Sequence, residues 1–263
     1  MPILARYGET SLPTLVLLHG FLGTKADWLP LMPTLSQYFH CICVDLPGHG
    51  DNQGELAPTE LDDGFSQCVE DVMARLNGLH IDRFHLYGYS LGGRIALHLA
   101  KAHPQRLLSL NLESCHPGLE LLAEKTARST NDALWAERLI RLSNRDFLAL
   151  WYQQAVFADM TTAKRQSVID LRASVLDQHP KQKLKQIYLA TSLARQASMW
   201  DLPSQLTCEC HFFAGTEDTK FSAIAKKWQL QAPILVHSIN GAGHNIHQMA
   251  PTALISKIVA LLG

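Results

Sequence analysis

Apolar residues along this chain come first in short, nearly unbroken runs. Thr14-Leu-Val-Leu-Leu-His19, Cys41-Ile-Cys-Val-Asp45, Phe84 to Tyr89 and Leu107 to Leu112 show little polar alternation. Such runs suit strands buried on both faces, hence a parallel sheet covered by helices. Between them, Gly64 to Leu79 and Gly93 to Ala102 carry apolar positions at helical spacing. After Glu113 the pattern changes: residues 115–200 hold no strong strand, and their charged, Ala- and Leu-rich stretches predict a helical insertion. Strand-like runs return at Cys208-Glu-Cys-His-Phe-Phe213 and Ile234-Leu-Val-His-Ser-Ile239, each followed by a helix-like segment. The last segment, Ile246 to Leu262, has Pro251 near its start, where a first helical turn tolerates proline. The pattern therefore predicts an α/β fold, a mostly parallel doubly wound sheet with a helical cap. Residues 1–114 and 201–263 form the predicted core and 115–200 the cap.

At 263 residues, the chain is long enough for one substantial α/β domain with an insertion. A formal net charge of -1 gives no reason to expect nucleic acid or an anionic membrane as partner. No window approaches eighteen uninterrupted apolar residues, so no membrane span is expected. The opening Met-Pro-Ile-Leu-Ala-Arg-Tyr-Gly lacks a charged region followed by a long apolar core, so no secretory signal is expected either. Cysteines fall at 41, 43, 68, 115, 208 and 210. The Cys41/Cys43 and Cys208/Cys210 pairs each lie on one face of a strand. They read as small buried residues of a reducing compartment rather than as metal ligands. The expectation is a cytoplasmic protein with neither metal nor cofactor.

Candidate chemistry centres on Gly88-Tyr89-Ser90-Leu91-Gly92, a G-x-S-x-G pattern between a predicted strand and a predicted helix. Strand, sharp turn and helix in that order make a nucleophile elbow, with the serine hydroxyl exposed at the top of the sheet. A serine hydroxyl reacts only when an imidazole takes its proton, and the imidazole needs an acceptor to fix its tautomer. Asp218, in Gly215-Thr-Glu-Asp-Thr-Lys220, and His244, in Gly241-Ala-Gly-His-Asn245, supply these in the chain order Ser, acid, His. Both follow predicted strands, on the rim where open α/β sheets bind ligands. Glu217 is the competitor for the acid role. The backbone amides of Leu91 and of Phe21, in His19-Gly20-Phe21-Leu22-Gly23, are candidates for an oxyanion hole. His49, in Asp45-Leu-Pro-Gly-His-Gly50, reads as loop architecture.

Arg94 sits one helical turn beyond Ser90 and on the same side of the helix. A guanidinium there either pairs with a carboxylate of the cap or awaits a carboxylate or phosphate on the substrate. Arg128, Arg172 and the pair Trp151-Tyr152 are further candidates to line the site from the insertion.

These motifs place the chain among α/β-hydrolases. Six segments resemble one family there: Gly88-Tyr-Ser-Leu-Gly-Gly-Arg94, Glu113-Ser-Cys-His-Pro-Gly-Leu119, Trp151-Tyr-Gln-Gln-Ala-Val-Phe157, Thr191-Ser-Leu193, Asp218-Thr-Lys-Phe221 and Gly243-His-Asn-Ile-His247. That family is the 2-succinyl-6-hydroxy-2,4-cyclohexadiene-1-carboxylate synthases of menaquinone biosynthesis, and the resemblance runs essentially the full length. It implies a lyase in a hydrolase fold, which eliminates pyruvate from an enolpyruvyl-bearing cyclohexene and leaves a ring diene. Ser90 and His244 would then move protons while Asp218 orients the histidine, and the Phe21 and Leu91 amides would meet developing negative charge. The implied partner is a small anionic tricarboxylate. Arg94, Arg128 and Arg172 would bind its carboxylates, with Tyr89, Trp151 and Tyr152 shaping the pocket. The alternative is a carboxylesterase or thioesterase of the same fold with Ser90 as a true nucleophile.

Overall fold

The computed structural model describes residues 3–54 and 64–263; within the predicted core, residues 1, 2 and 55–63 lie outside the described residues. Seven strands form one sheet: β1 (Leu4–Tyr7), β2 (Thr14–Leu18), β3 (His40–Val44), β4 (Phe84–Tyr89), β5 (Leu107–Glu113), β6 (Glu209–Gly215) and β7 (Ile234–Ile239). Their order is β1-β3-β2-β4-β5-β6-β7. All neighbours are parallel except β1, which pairs antiparallel with β3 through Leu4↔Val44 to Tyr7↔Cys41. The predicted strands are all present, and β1 is an addition. It is a four-residue edge strand without a fully buried residue, so it lacks the apolar run that marks the others.

The apolar runs are explained by cover on both faces. On one face Val16, Leu18, Ile42, Leu86, Leu110 and Phe212 pack under α2 (Gly64–Gly78), α3 (Leu91–Ala102) and α8 (Thr219–Gln229). On the other face Leu15, Leu17, Cys41, Cys43, Tyr87 and Phe213 meet Trp28, Leu31, α1 (Met32–Leu35) and α10 (Pro251–Leu262). The predicted helix from Ile246 to Leu262 is divided in two, α9 (Ile246–Met249) and α10. Ala250 separates them at φ -134° and ψ 54°. A residue before proline is kept out of the α region, so Pro251 starts a new helix instead of continuing the old one.

Between β5 and β6 lie α4 (Leu122–Arg141), α5 (Asn144–Trp151), α6 (Thr162–Leu176) and α7 (Lys181–Ala190). They have a hydrophobic cluster of their own, built from Trp135, Leu139, Phe147, Tyr152, Phe157, Ile169, Leu184 and Tyr188. Leu22 and Phe21, from the loop after β2, join that cluster and seat the helices on the sheet's carboxyl-end rim.

Candidate active site

β4 turns into α3 within one residue. Ser90 has φ 51° and ψ -107°, an uncommon region for a residue with a side chain. The turn is held by Ser90 N–H donating to the Glu113 carbonyl at 2.9 Å. It is also very tight: a Cβ on Gly93 would lie 2.6 Å from that of Cys115, and one on Gly92 would collide with the Leu18 carbonyl. Because α3 starts at Leu91, the amide of Leu91 has no acceptor inside the helix.

The loops after β6 and β7 bring the next two residues together. His244 Nδ1 donates to Asp218 Oδ2 at 2.9 Å, and both side chains are buried. Asp218 Oδ1 caps α8 by accepting from Phe221 N at 3.0 Å, so both carboxylate oxygens are committed. Glu217, the competing acid, is exposed. With its proton on Nδ1, His244 keeps an Nε2 lone pair, and Ser90 and His244 line the same pocket.

Two histidines brace the Phe21 loop. Leu22 N donates to His49 Nε2 at 3.2 Å, while His49 Nδ1 donates to the Pro47 carbonyl at 3.0 Å. His19 Nε2 accepts from Leu46 N at 3.1 Å. Burial, followed by the nearby His19, pushes His49 down to about 3, so it stays neutral and its Nε2 stays an acceptor. The loop also presses on the elbow, since a Cβ on Gly20 would lie 2.6 Å from the Tyr89 ring. The Phe21 ring packs on Tyr188 and Trp151, with centroids 4.8 and 5.2 Å away.

Cations dominate the pocket. Arg94, Arg128 and Lys220 all line it, together with His116, Gln154, Trp151 and Tyr188. Arg94 Nη1 donates to the Thr191 carbonyl at 2.6 Å, and its guanidinium lies 5.5 Å from the Phe65 ring centroid. Among the described residues no carboxylate is within ion-pair distance of it. Burial first, then the neighbouring Arg128 charge, lowers Arg94 to about 10. Arg128 uses Nε to grip both oxygens of Asp132, at 2.8 and 2.9 Å. Asp132 is buried and also accepts from the Tyr188 and Ser192 hydroxyls, at 2.8 and 2.6 Å. His116 accepts from Gly118 N at 3.0 Å through Nδ1, which leaves an Nε2–H donor. Burial and then Lys220 push this imidazole down to about 3, so it is neutral as well.

Three expected pocket residues are placed elsewhere. Arg172 is buried, with Nη1 and Nη2 on the two oxygens of Asp27 at 2.6 and 2.7 Å, and it is absent from the pocket wall. Tyr152, also buried, sits at the same guanidinium. Tyr89, the last residue of β4, points behind the elbow and donates its hydroxyl to Asn245 Oδ1. Conversely, Lys220 and His116 reach the pocket though not singled out by chemistry. Their signal is positional: Lys220 lies two residues beyond Asp218 of the loop after β6, and His116 three residues beyond Glu113, the last residue of β5. No helix among the described residues is long and apolar enough to cross a membrane.

Comparison with known proteins adds to this geometry. Residues 13–251 match the family model of the alpha/beta hydrolase fold. A 2-succinyl-6-hydroxy-2,4-cyclohexadiene-1-carboxylate synthase of Enterobacter sp. (strain 638) is 37% identical over 257 residues, covering 98% of this chain and 94% of the relative. The synthase of that name from Pectobacterium atrosepticum is 36% identical over 251 residues, covering 95% and 94%. Among solved structures, MenH from S. aureus superposes with a TM-score of 0.87 at 24% identity, over 100% of this chain and 98% of that one. An enol-lactonase from Burkholderia xenovorans LB400 gives a TM-score of 0.76 at 19% identity, over 98% and 95%. At those identities the structural likenesses speak for the fold alone.

Proposed function

Because the chain belongs to the 2-succinyl-6-hydroxy-2,4-cyclohexadiene-1-carboxylate synthase family of alpha/beta hydrolases, we propose that it eliminates pyruvate from the enolpyruvyl-bearing cyclohexene precursor of menaquinone. Ser90 and His244 act together as the general base: a ring proton passes to Ser90 Oγ as the Ser90 proton passes to His244 Nε2. Electrons of the broken C–H bond move into the ring and build the diene as the C–O bond to the enolpyruvyl group breaks. The departing enolate takes a proton and becomes pyruvate. Asp218 holds the imidazole in the required tautomer and stabilises the imidazolium. The amides of Phe21 and Leu91 face the negative charge that develops on the substrate.

The observation that carries the reading is Arg94, a guanidinium that lines the pocket with Ser90 and has no carboxylate partner among the described residues. A neutral acyl chain has no use for such a cation, and leaving it unpaired in a closed site is costly. A tricarboxylate supplies the partners, and Arg94, Arg128 and Lys220 are the three cations on the pocket wall. In this reading residues 115–200 are a cap on a core of 1–114 and 201–263, and Trp151 with Tyr188 roofs the site. The chain works in the cytoplasm, where its free cysteines stay reduced. Pyruvate release from the precursor, measured beside hydrolysis of a simple ester, tests the proposal. Efficient release with poor ester turnover is expected; the reverse would make the chain an esterase.

A further inference from the structure

We infer that Arg172 serves the reaction as a positioning residue, tying the loop that bears the Phe21 amide to the cap through Asp27, and does not hold a substrate carboxylate. The inference builds on the elimination chemistry proposed above. Both terminal nitrogens of Arg172 are occupied by Asp27 and the two side chains are 5% exposed, so the fork they form is closed to a ligand. Its Nε has no hydrogen-bond partner among the described residues but is buried, and Arg172 is absent from the pocket wall. Burial alone would weaken both charges. Their mutual attraction nonetheless holds the Asp27 carboxyl below its ordinary value, while Asp27 and Tyr152 raise the guanidinium. Removing one member leaves the other buried and uncompensated.

What the pair holds is the loop itself. Asp27 N donates to the Thr24 carbonyl at 3.0 Å, and Gly23 N to the Gly20 carbonyl at 3.0 Å, so the turns from Gly20 to Asp27 are continuous. The carboxylate lies directly on that backbone, because a Cβ at Gly23 would be 2.5 Å from Asp27 Oδ2. Leu22, between Phe21 and Gly23, has φ 65°, a conformation that needs outside support. His49 holds this loop from the core, the Phe21 ring packs on cap aromatics, and the Arg172 pair is its buried ionic link to α6.

Two measurements on Arg172→Gln, Asp27→Asn and the double variant test this. The first is the rate at which a fluorophosphonate modifies Ser90. There the serine oxygen bonds to phosphorus, fluoride leaves, and His244 takes the proton. The second is kcat and KM for pyruvate release. Each single variant should slow modification and kcat by about tenfold or more, since an oxyanion donor has moved. KM should stay within about twofold, and the double variant should be no worse than the worse single. Arg172→Lys should recover part of the loss. Wild-type modification and kcat in Asp27→Asn, with a KM raised in Arg172→Gln alone, would overturn the inference and make Arg172 a substrate ligand. If the neutral variants fail to fold, Asp27→Glu and Arg172→Lys carry the same comparison: slowed modification at an unchanged melting temperature supports the tie, and unchanged modification overturns it. Modification needs no precursor, so a wild-type protein that releases no pyruvate sinks the proposed function without touching this test.

Discussion

The strand-end loops and the cap helices face one pocket but are held by different means. On the core side, backbone geometry places the groups: Ser90 N on the Glu113 carbonyl, Gly92 against Leu18, Asp218 capping α8 with one oxygen and holding His244 with the other. On the cap side, side chains place one another, as when Asp132 collects Arg128, Tyr188 and Ser192. Backbone placement comes with the fold and serves any chemistry that moves a proton through a serine. Side-chain placement can change without disturbing the sheet, so it is where substrate choice resides.

Changes to Ser90, Asp218 and His244 should therefore abolish chemistry, whereas changes to the pocket cations, Arg128 on the cap's α4 and Arg94 and Lys220 on the core's α3 and α8, should weaken recognition. Ser90→Ala, Asp218→Asn and His244→Ala should each reduce turnover by about a thousandfold or more, and double variants should be little worse than single ones. Single-turnover pyruvate release would show this, and multiplicative losses would mean that the three do not act as one unit. Arg94→Ala, Arg128→Ala and Lys220→Ala should each lose about tenfold in kcat/KM, because a charge-assisted hydrogen bond is worth roughly 1.5–3 kcal/mol. Most of that loss should be in KM. Arg94→Lys should recover only part, as an ammonium lacks the planar fork. Unchanged kinetics in Arg128→Ala, the cation that the cap supplies, would erase the distinction between the two sides.

Acid should loosen both sides together. Burial, before any other cause, depresses His49 and His116 to about 3 and His85 and His237 to about 4. Between those values and the ordinary histidine pKa of about 6.5 the unfolded chain binds more protons, so stability rises with pH across that window. The melting temperature should be flat above about pH 6.5 and fall steadily below it. A flat profile down to pH 4 would show that these imidazoles are not held neutral. The smallest effect expected is one of kinetics: turnover of the precursor should show no burst and no mass adduct on Ser90, because elimination needs no acyl-serine. A substrate-derived adduct in a competent reaction would favour the esterase.

Much of the core was legible because its signals are local. An apolar run covered on both faces looks alike anywhere, and Gly-rich loops after such runs mark the rim where Asp218 and His244 meet. β1 escaped notice because a short, half-buried edge strand has no such run. The cap was legible as helix but not as site. Periodicity along α6 gives no clue that Arg172 meets Asp27 across 145 positions, so a paired arginine and a waiting one look identical in sequence. The same holds for Tyr89 and Tyr152, whose rings suit a pocket wall, although Tyr89 gives its hydroxyl to Asn245 and Tyr152 lies buried beside the Arg172 guanidinium.

The backbone of Ser90 has a consequence for the evolution of the chain. A side chain at φ 51° and ψ -107° costs of order 1–3 kcal/mol, which glycine would largely avoid at an entropic cost of about 0.5–1 kcal/mol. Ser90→Gly should therefore be inert and should melt higher than the active protein in a calorimetric scan. Selection for durability alone would replace this serine, and its presence records a demand for activity strong enough to hold the elbow away from its thermal optimum.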